Sequence, residues 1–425
     1  MTCAWLRSND RIMARQYHLI SAFSCLRGAS AGGDSLTPSK SNPSGLQPCR
    51  RLWWSRPIWL LLVLLTAGTS CISRGHKAST PDIAARDFTF FLFSDLHLGA
   101  ENLKAKPAFT REETLAQVKT NLNSMRARVG RPYPERPEFQ GLELGAMARP
   151  RGLIILGDLT DGHKEPARQQ EQWKTFDGLF PARGVLFGAH PVPVFASAGN
   201  HDGDPAGPQR QGLVARNRGL SHAGQFAAIS SNGVHFALNW DGVHLICLNL
   251  CPADATDAQT PFKYGKPGPQ SWNDPQGALS FLKDYLARKV GRSGEPVVLM
   301  HHYGFDGFSM NDWNWWTPRQ RRALYDLLQD YNVAAIFHGH DHHADHYQWP
   351  EPKRHGEDLA RMFPEGRPAV LRQYDVVSCG NVCWVMRVQG DRLIAAHLHG
   401  SGWDMDHGGF FEKSLSPRER SASRE

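Results

Sequence analysis

The stretch that decides the fold is Gly152-Leu153-Ile154-Ile155-Leu156-Gly157-Asp158-Leu159-Thr160-Asp161. A short continuous apolar run ends abruptly at Gly-Asp, as expected of a strand buried in a sheet that delivers a carboxylate at its C-terminal end. The same arrangement recurs to either side. Phe88–Phe93 ends at Ser94-Asp95, and Val192–Ala196 leads to Gly199-Asn200-His201-Asp202. Pro296–Met300 ends at His301-His302, and Val333–Phe337 at His338-Gly339-His340-Asp341-His342. Five apolar runs in succession present polar residues on one sheet edge, where ligands of open α/β sheets bind.

Helices fill the intervals. Thr110 and Glu113 form a capping box ahead of Leu115, Val118, Leu122 and Met125 at helical spacing. Asp274-Pro275 is expected to open a second helix carrying Leu279, Leu282 and Leu286. Thr317-Pro318 opens a third, with Leu324, Leu327 and Leu328 on one face. Val234–Leu250 and Val382–His397 read as hairpins turning at Asp241-Gly242 and Gly390-Asp391. Residues 87–410 read as one large domain without internal repeats, followed by a polar tail, 411–425.

The chain has 425 residues, is 41% hydrophobic and 21% charged, and carries a formal net charge of +7. Those fractions exclude wholesale disorder, collagen and coiled coil. A basic chain suggests nucleic acid or membrane as partner, but the charge is unevenly placed. Residues 1–86 hold 11 Lys and Arg against 3 Asp and Glu, an excess of +8, so residues 87–425 are close to neutral at −1. Within 50–71, Arg50, Arg51 and Arg56 precede the apolar run Ile58–Leu65, then small residues and Cys71. That is the layout of an export signal, and the run is short of the ~20 apolar residues of a membrane span. The expected location is therefore exported, periplasmic or extracellular. Cys71 is either a lipid-attachment site, anchoring the chain to a membrane, or the residue after simple cleavage near Ser70, unless the segment stays as an uncleaved anchor. Residues 1–49 are an odd extension ahead of a signal, explained by a misassigned start codon, and 72–86 form a polar linker. Cys247, Cys251, Cys379 and Cys383 come in pairs at four-residue spacing, wider than zinc sites favour, and read as buried free thiols, with one disulfide as the alternative.

The polar strand ends share a chemistry. Carboxylate, imidazole and amide oxygen are the donors that divalent transition metals accept. Two adjacent metals need an anionic ligand between them, which an Asp flanked by His-bearing loops supplies. The ordered set Asp95-x-His97, Gly157-Asp158, Gly199-Asn200-His201-Asp202, His301/His302 and Gly339-His340-Asp341-His342 resembles the calcineurin-like metallophosphoesterases, whose blocks are D-x-H, G-D, G-N-H-[DE], a strand-end His and G-H-x-H. The fourth block departs from the family, which usually shows His-x-Pro where this chain has His301-His302-Tyr303-Gly304.

The resemblance implies a four-layer α-β-β-α sandwich of two mixed sheets flanked by helices, with the metal site at the C-terminal ends of the strands. It implies two divalent metal ions (Mn, Zn or Fe). Asp95, His97 and His342 would hold one, Asn200, His302 and His340 the other, and Asp158 would bridge. His302 is taken as ligand in preference to His301. His201 would be the general acid, oriented by Asp161, and a hydroxide bridging the metals would be the nucleophile on a phosphoester substrate. Purple acid phosphatases carry an iron-binding Tyr at the position of Asp161, so their Tyr–iron pairing is not expected. A nuclease of the same superfamily is the first alternative, disfavoured by the near-neutral charge of 87–425. A metal-free binding module on the same scaffold is the second. The run Asn311–Trp316 and the loop Pro252–Asn273 are open to a substrate-side role or to plain packing and solvation.

Overall fold

Strand β1 (Asp87–Phe93) is buried at every position after Asp87, so it needs cover on both faces. The computed structural model provides that cover; it describes residues 83–101, 103, 108–162, 165–257, 271–305, 315–342, 344–350, 359–380, 383–399, 402–405 and 408–417. The segment 50–71 expected to be an export signal, with Cys71, and also His163, His343, Asn311–Asn314 and residues 258–270 of the Pro252–Asn273 loop lie outside the described residues.

In chain order the strands are β1, β2 (Pro150–Leu156), β3 (Val185–Phe187), β4 (His190–Val192), β5 (Val194–Ser197), β6 (Ala228–Ile229), β7 (Phe236–Trp240) and β8 (Val243–Cys247). They continue as β9 (Val297–Met300), β10 (Val333–His338), β11 (Ala344–Trp349), β12 (Tyr374–Cys379), β13 (Cys383–Gln389), β14 (Arg392–His399), β15 (Gly402–Trp403) and β16 (Phe410–Ser414). The helices are α1 (Arg111–Arg128), α2 (Pro166–Leu179), α3 (Pro208–His222), α4 (Ala278–Tyr285), α5 (Pro318–Leu328) and the single turn α6 (Leu359–Met362).

Two mixed sheets form. The first has the order β15-β14-β13-β1-β2-β5, with β16 also paired to β14; the second runs β11-β12-β10-β9-β8-β7-β6. In the first, β1, β2 and β5 are parallel, and in the second β8, β9, β10 and β12 are. The two-residue period of β1 sorts its side chains: Phe88, Phe90 and Leu92 enter the core between the sheets, with Leu245, Val298, Met300 and Phe337 of the second sheet. Phe91 and Phe93 face the opposite way, onto Val118, Leu122 and Met125 of α1 and Phe176 of α2. The outer face of the second sheet is covered by Leu282 and Tyr285 of α4 and Leu324 and Leu328 of α5. Each such fully buried side chain contributes about 1.5–3 kcal/mol of transfer free energy. Helix, sheet, sheet and helix are the four layers expected.

Several local expectations meet their cause here. Thr110 accepts from the Glu113 amide at 3.2 Å while Glu113 accepts from the Thr110 amide at 2.7 Å, the reciprocal cap of α1. Both hairpins form, β7–β8 through Asp241-Gly242 and β13–β14 through Gly390-Asp391. The second expected helix starts later than Asp274. Asp274 instead accepts from the Gln276 amide at 2.9 Å, Gly277 turns at φ +82°, and α4 is capped by Asp254, which accepts from the Ser280 amide at 2.7 Å. The domain also continues past 410: β16 pairs with β14, and Phe411 and Leu415 lie in the core between the sheets. The tail from 411 is thus corrected, its first residues being a strand. Cys247, Cys251, Cys379 and Cys383 are buried free thiols. Among the described residues no helix is long and apolar enough to cross a membrane.

Candidate metal centre

The loops leaving β1, β2, β5, β9 and β10 meet at one end of the two sheets. Backbone bonds stitch them together: Asp95 N to Gly157 O (3.1 Å), His97 N to Asp158 O (2.9 Å), His301 N to Phe337 O (3.0 Å) and Gly339 N to His302 O (3.0 Å). Asp95, His97, Asp158, His340 and His342 all adopt positive φ, between 43° and 77°. Such backbone costs about 1–3 kcal/mol per residue, and its concentration at one site marks a place where side-chain direction outweighs local comfort. Gly157 is required for the same reason: at φ +86°, a Cβ there would lie 2.6 Å from His302 Nδ1 and 2.7 Å from Gly199 N. Gly157→Ala is expected to cost about 2 kcal/mol or more in stability and to lower metal content, read by thermal unfolding and elemental analysis.

Among the described residues three donor groups result, one of them His97, Asp161 and His201 at the rim. Asp95, His97, Asp158 and His342 form the first, and Asp158, His302 and His340 the second, with ligand atoms within 4.8 Å of one another in each. In the first, His97 Nε2 is 3.0 Å from His342 Nε2, and His342 Nε2 is 3.5 Å from Asp95 Oδ1. In the second, Asn200 Oδ1 is 3.1 Å from His302 Nε2. Asp158 belongs to both: its Oδ2 is 3.5 Å from His97 Nε2 and 3.3 Å from His302 Nε2. His302 Nδ1 donates to the Leu156 carbonyl at 2.8 Å, which fixes the ring and turns its Nε2 lone pair to the cluster. Asp95 accepts the His340 amide at 3.0 Å, so a backbone group of one cluster aims a ligand of the other.

The electrostatics fit cations. Asp95 and Asp158 are 2% and 1% exposed, and a buried carboxylate is costly unless compensated. Burial is the largest influence on Asp158 and raises its pKa, yet His302, His201 and His97 together bring it well below the ordinary range. Burial likewise opposes protonation of His97 and His302, but the surrounding carboxylates win and raise both to about 9. Without metal the site therefore holds its carboxylates by protonating imidazoles. Two carboxylates, four imidazoles and one amide oxygen converging in a buried space are a donor set for two borderline divalent ions.

His201 stands at the rim. Its backbone amide donates to Asp158 Oδ1 at 2.8 Å, and its side chain is 20% exposed. Asp161 reaches it differently from the arrangement expected: His201 Nδ1 donates to the Asp161 backbone carbonyl at 2.9 Å, with the carboxylate at 3.7 Å. That carboxylate is nearer His97 Nδ1, at 3.3 Å. His301 is not part of either cluster; it packs edge-on to Phe305 and Trp316, and burial lowers its pKa strongly. His346 pairs with Asp375 at 3.1 Å. Trp316 is buried with its indole donating to the Gly304 carbonyl at 3.1 Å, whereas half-buried Trp315 stacks on Tyr303 and meets His340 edge-on, ring centroids 4.6 Å apart.

Three residues around the centre were given no role in the sequence reading. Asp202 accepts from the Gly199, Leu159 and Thr160 amides at 2.8, 3.2 and 3.0 Å, tying the β2 and β5 loops together. Arg210 bonds the β5 loop from the other side. Tyr303 backs His340 and donates its hydroxyl to Asn273. The carboxylate closing Gly199-Asn200-His201-Asp202 was a visible signal for the first; nothing local marked the other two.

No curated protein sequence matches. Among solved structures, a purple acid phosphatase from yellow lupin (Lupinus luteus) seeds is 13% identical with a TM-score of 0.45, over 77% of this chain and 54% of that one. This chain thus spans about half the length of the lupin enzyme. A dimetal phosphatase from Danio rerio is 13% identical with a TM-score of 0.45, over 77% and 99%. GAP50, the anchor in the inner membrane complex of Plasmodium, is 10% identical with a TM-score of 0.39, over 79% and 90%. A family model described as calcineurin-like phosphoesterase matches residues 88–344, more than half of the chain and all of both clusters. The chain belongs to the calcineurin-like phosphoesterase family.

Proposed function

We propose that this protein is an exported hydrolase of phosphoester bonds that works with two divalent cations, Mn, Zn or Fe. The observation that carries the reading is the shared carboxylate: Asp158 Oδ2 lies within 3.5 Å of an imidazole nitrogen of each cluster. Asp95, His97 and His342 would complete one cation site, and Asn200, His302 and His340 the other. When bound, two such cations offset charge on phosphoryl oxygens and supply a nucleophile from water near neutral pH.

The chain's own contribution is placement and proton transfer. The Asp161 carbonyl holds the proton on His201 Nδ1, which fixes the ring's tautomer and leaves Nε2 as the nitrogen that exchanges a proton with substrate. His201 is anchored to Asp158 through its backbone amide, so the acid moves with the carboxylate that sets the metal positions. It protonates the departing alkoxide. The near-neutral net charge of residues 87–425 supports a small phosphoester over a nucleic acid. Export, to the periplasm or the cell exterior, rests on the basic and apolar run at 50–71, with lipid attachment at Cys71 tested by labelling of a Cys71→Ser variant.

Hydrolysis of p-nitrophenyl phosphate and bis(p-nitrophenyl) phosphate with added Mn, abolished by chelator and restored by metal, is the expected result. His201→Ala should lose about 10²–10⁴-fold on alkyl phosphates, whose leaving groups need a proton, and far less on p-nitrophenyl esters. Neither metal uptake nor hydrolysis of any ester would identify a metal-free binding module instead.

A further inference from the structure

Helix α3 buries an unusual face: Gln209, Arg210, Leu213, Arg216, Asn217 and Leu220. Arg210 is 1% exposed. Its Nη2 donates to the Gly199 carbonyl at 3.0 Å and the Trp272 carbonyl at 3.3 Å, its Nε to the Gly203 carbonyl at 3.1 Å, and its Nη1 to Asn249 Oδ1 at 2.7 Å. These four acceptors are neutral. Asp202, Asp158 and Asp204 attract the charge from nearby, but burial outweighs them, so the cation costs solvation that an apolar residue at the same helical position would not. The geometry obtained in return is specific, because only a planar fork reaches acceptors in several directions at once.

The acceptors bracket the site. Gly199 and Gly203 flank the single 3-10 turn Asn200–Asp202, which is too short to hold itself and carries both Asn200 and His201. Asp202 takes the Gly199 amide at 2.8 Å while Arg210 takes the Gly199 carbonyl, so one residue is gripped from both sides. Asn249 passes the grip to the segment after residue 271: its side chain donates to the Asp274 carbonyl at 3.3 Å.

We propose that Arg210 is a positioning residue for the reaction, clamping both ends of the Gly199–Gly203 turn so that His201 meets the leaving group. The catalytic half of this inference rests on the phosphoesterase reading; the clamp itself does not. Two measurements keep them apart, on the full chain with Mn and without it. By hydrogen exchange, Arg210→Met should deprotect the peptide covering 199–203 by at least about tenfold, with peptides from β1 and β2 unchanged. By kinetics, the same variant should lose about 10²-fold in kcat on an alkyl phosphate, keep p-nitrophenyl phosphate hydrolysis within about threefold, and leave KM nearly unchanged. Added to His201→Ala, it should cost less than about threefold more on the alkyl ester, since both act through one proton transfer. Arg210→Lys, which cannot span the carbonyls, should resemble Arg210→Met. Should Arg210→Met fail to fold, Asn249→Ala, removing one arm of the clamp, should show a smaller change of the same kind in both measurements. Unchanged exchange at 199–203 overturns the clamp. Equal losses on both esters, or additive loss with His201→Ala, overturn its catalytic role. A wild-type chain inactive on every ester overturns the phosphoesterase reading while the exchange result still decides the clamp.

Discussion

Asp158→Asn is expected to lower kcat by about 10³-fold or more and to reduce bound metal from two ions per chain to one or fewer. The substitution keeps the shape of the side chain, and its amide oxygen can still accept the His201 backbone N–H that Asp158 Oδ1 accepts at 2.8 Å. What disappears is the negative oxygen placed 3.5 Å from His97 Nε2 and 3.3 Å from His302 Nε2. Two cations a few ångströms apart repel each other strongly in a buried site, and the shared carboxylate is the group that offsets this. Metal content by elemental analysis and kcat on p-nitrophenyl phosphate check the prediction, with thermal unfolding as the control for folding. Full occupancy by two ions together with near-normal turnover would remove Asp158 from the bridging position.

Metal affinity is expected to rise steeply with pH up to about 9, the value to which His97 and His302 are raised. In the metal-free protein these imidazoles are protonated below that pH, and a proton on the ligating nitrogen must leave before a cation binds. Each proton weakens the apparent affinity by about tenfold per pH unit below its pKa, so the two together give up to about a hundredfold. Burial lowers the pKa of His340 and His342, which are already neutral at pH 7 and add no slope. Calorimetry in buffers of different ionisation enthalpy should therefore register proton release on metal uptake at pH 7 and little at pH 9.5. The same groups set a stability window. Their folded pKa lies above the unfolded value of about 6.5, so their stabilisation of the metal-free fold is complete below pH 6.5 and is lost as pH rises through about 9. Metal affinity that does not change with pH across this range would show that the site is not held by protonated imidazoles.

Much of the site was legible because metal ligation constrains residue type, order and local context at once. Asp95, His97, Asp158, Asn200, His302, His340 and His342 each follow or flank a buried apolar strand, and a strand that ends abruptly in a donor residue is visible to anyone counting hydropathy along the chain. The layering was legible through the resemblance those blocks carry. Helices α2 and α3 were not, since their buried positions include Gln172, Gln209, Arg210, Arg216 and Asn217. Hydrophobic periodicity cannot register a face whose burial depends on hydrogen bonds to distant segments.

The sequence by itself determined which donor residues stand at the strand ends and in what order they arrive, because a donor atom and the strand that presents it are local properties. Tertiary structure alone decided how those arrivals are used. It placed β1 against β13 nearly 300 residues away, and it carried the domain past residue 410 through β16. It turned the ring of His302 to Asp158 and that of the adjacent His301 into an aromatic pocket. It gave Asp161 its hold on His201 through a backbone carbonyl, and it fastened the turn that carries His201 with a buried arginine. Each of these is a pairing between segments far apart in the chain, whose free energy exists only once both are in place, so no local pattern records it.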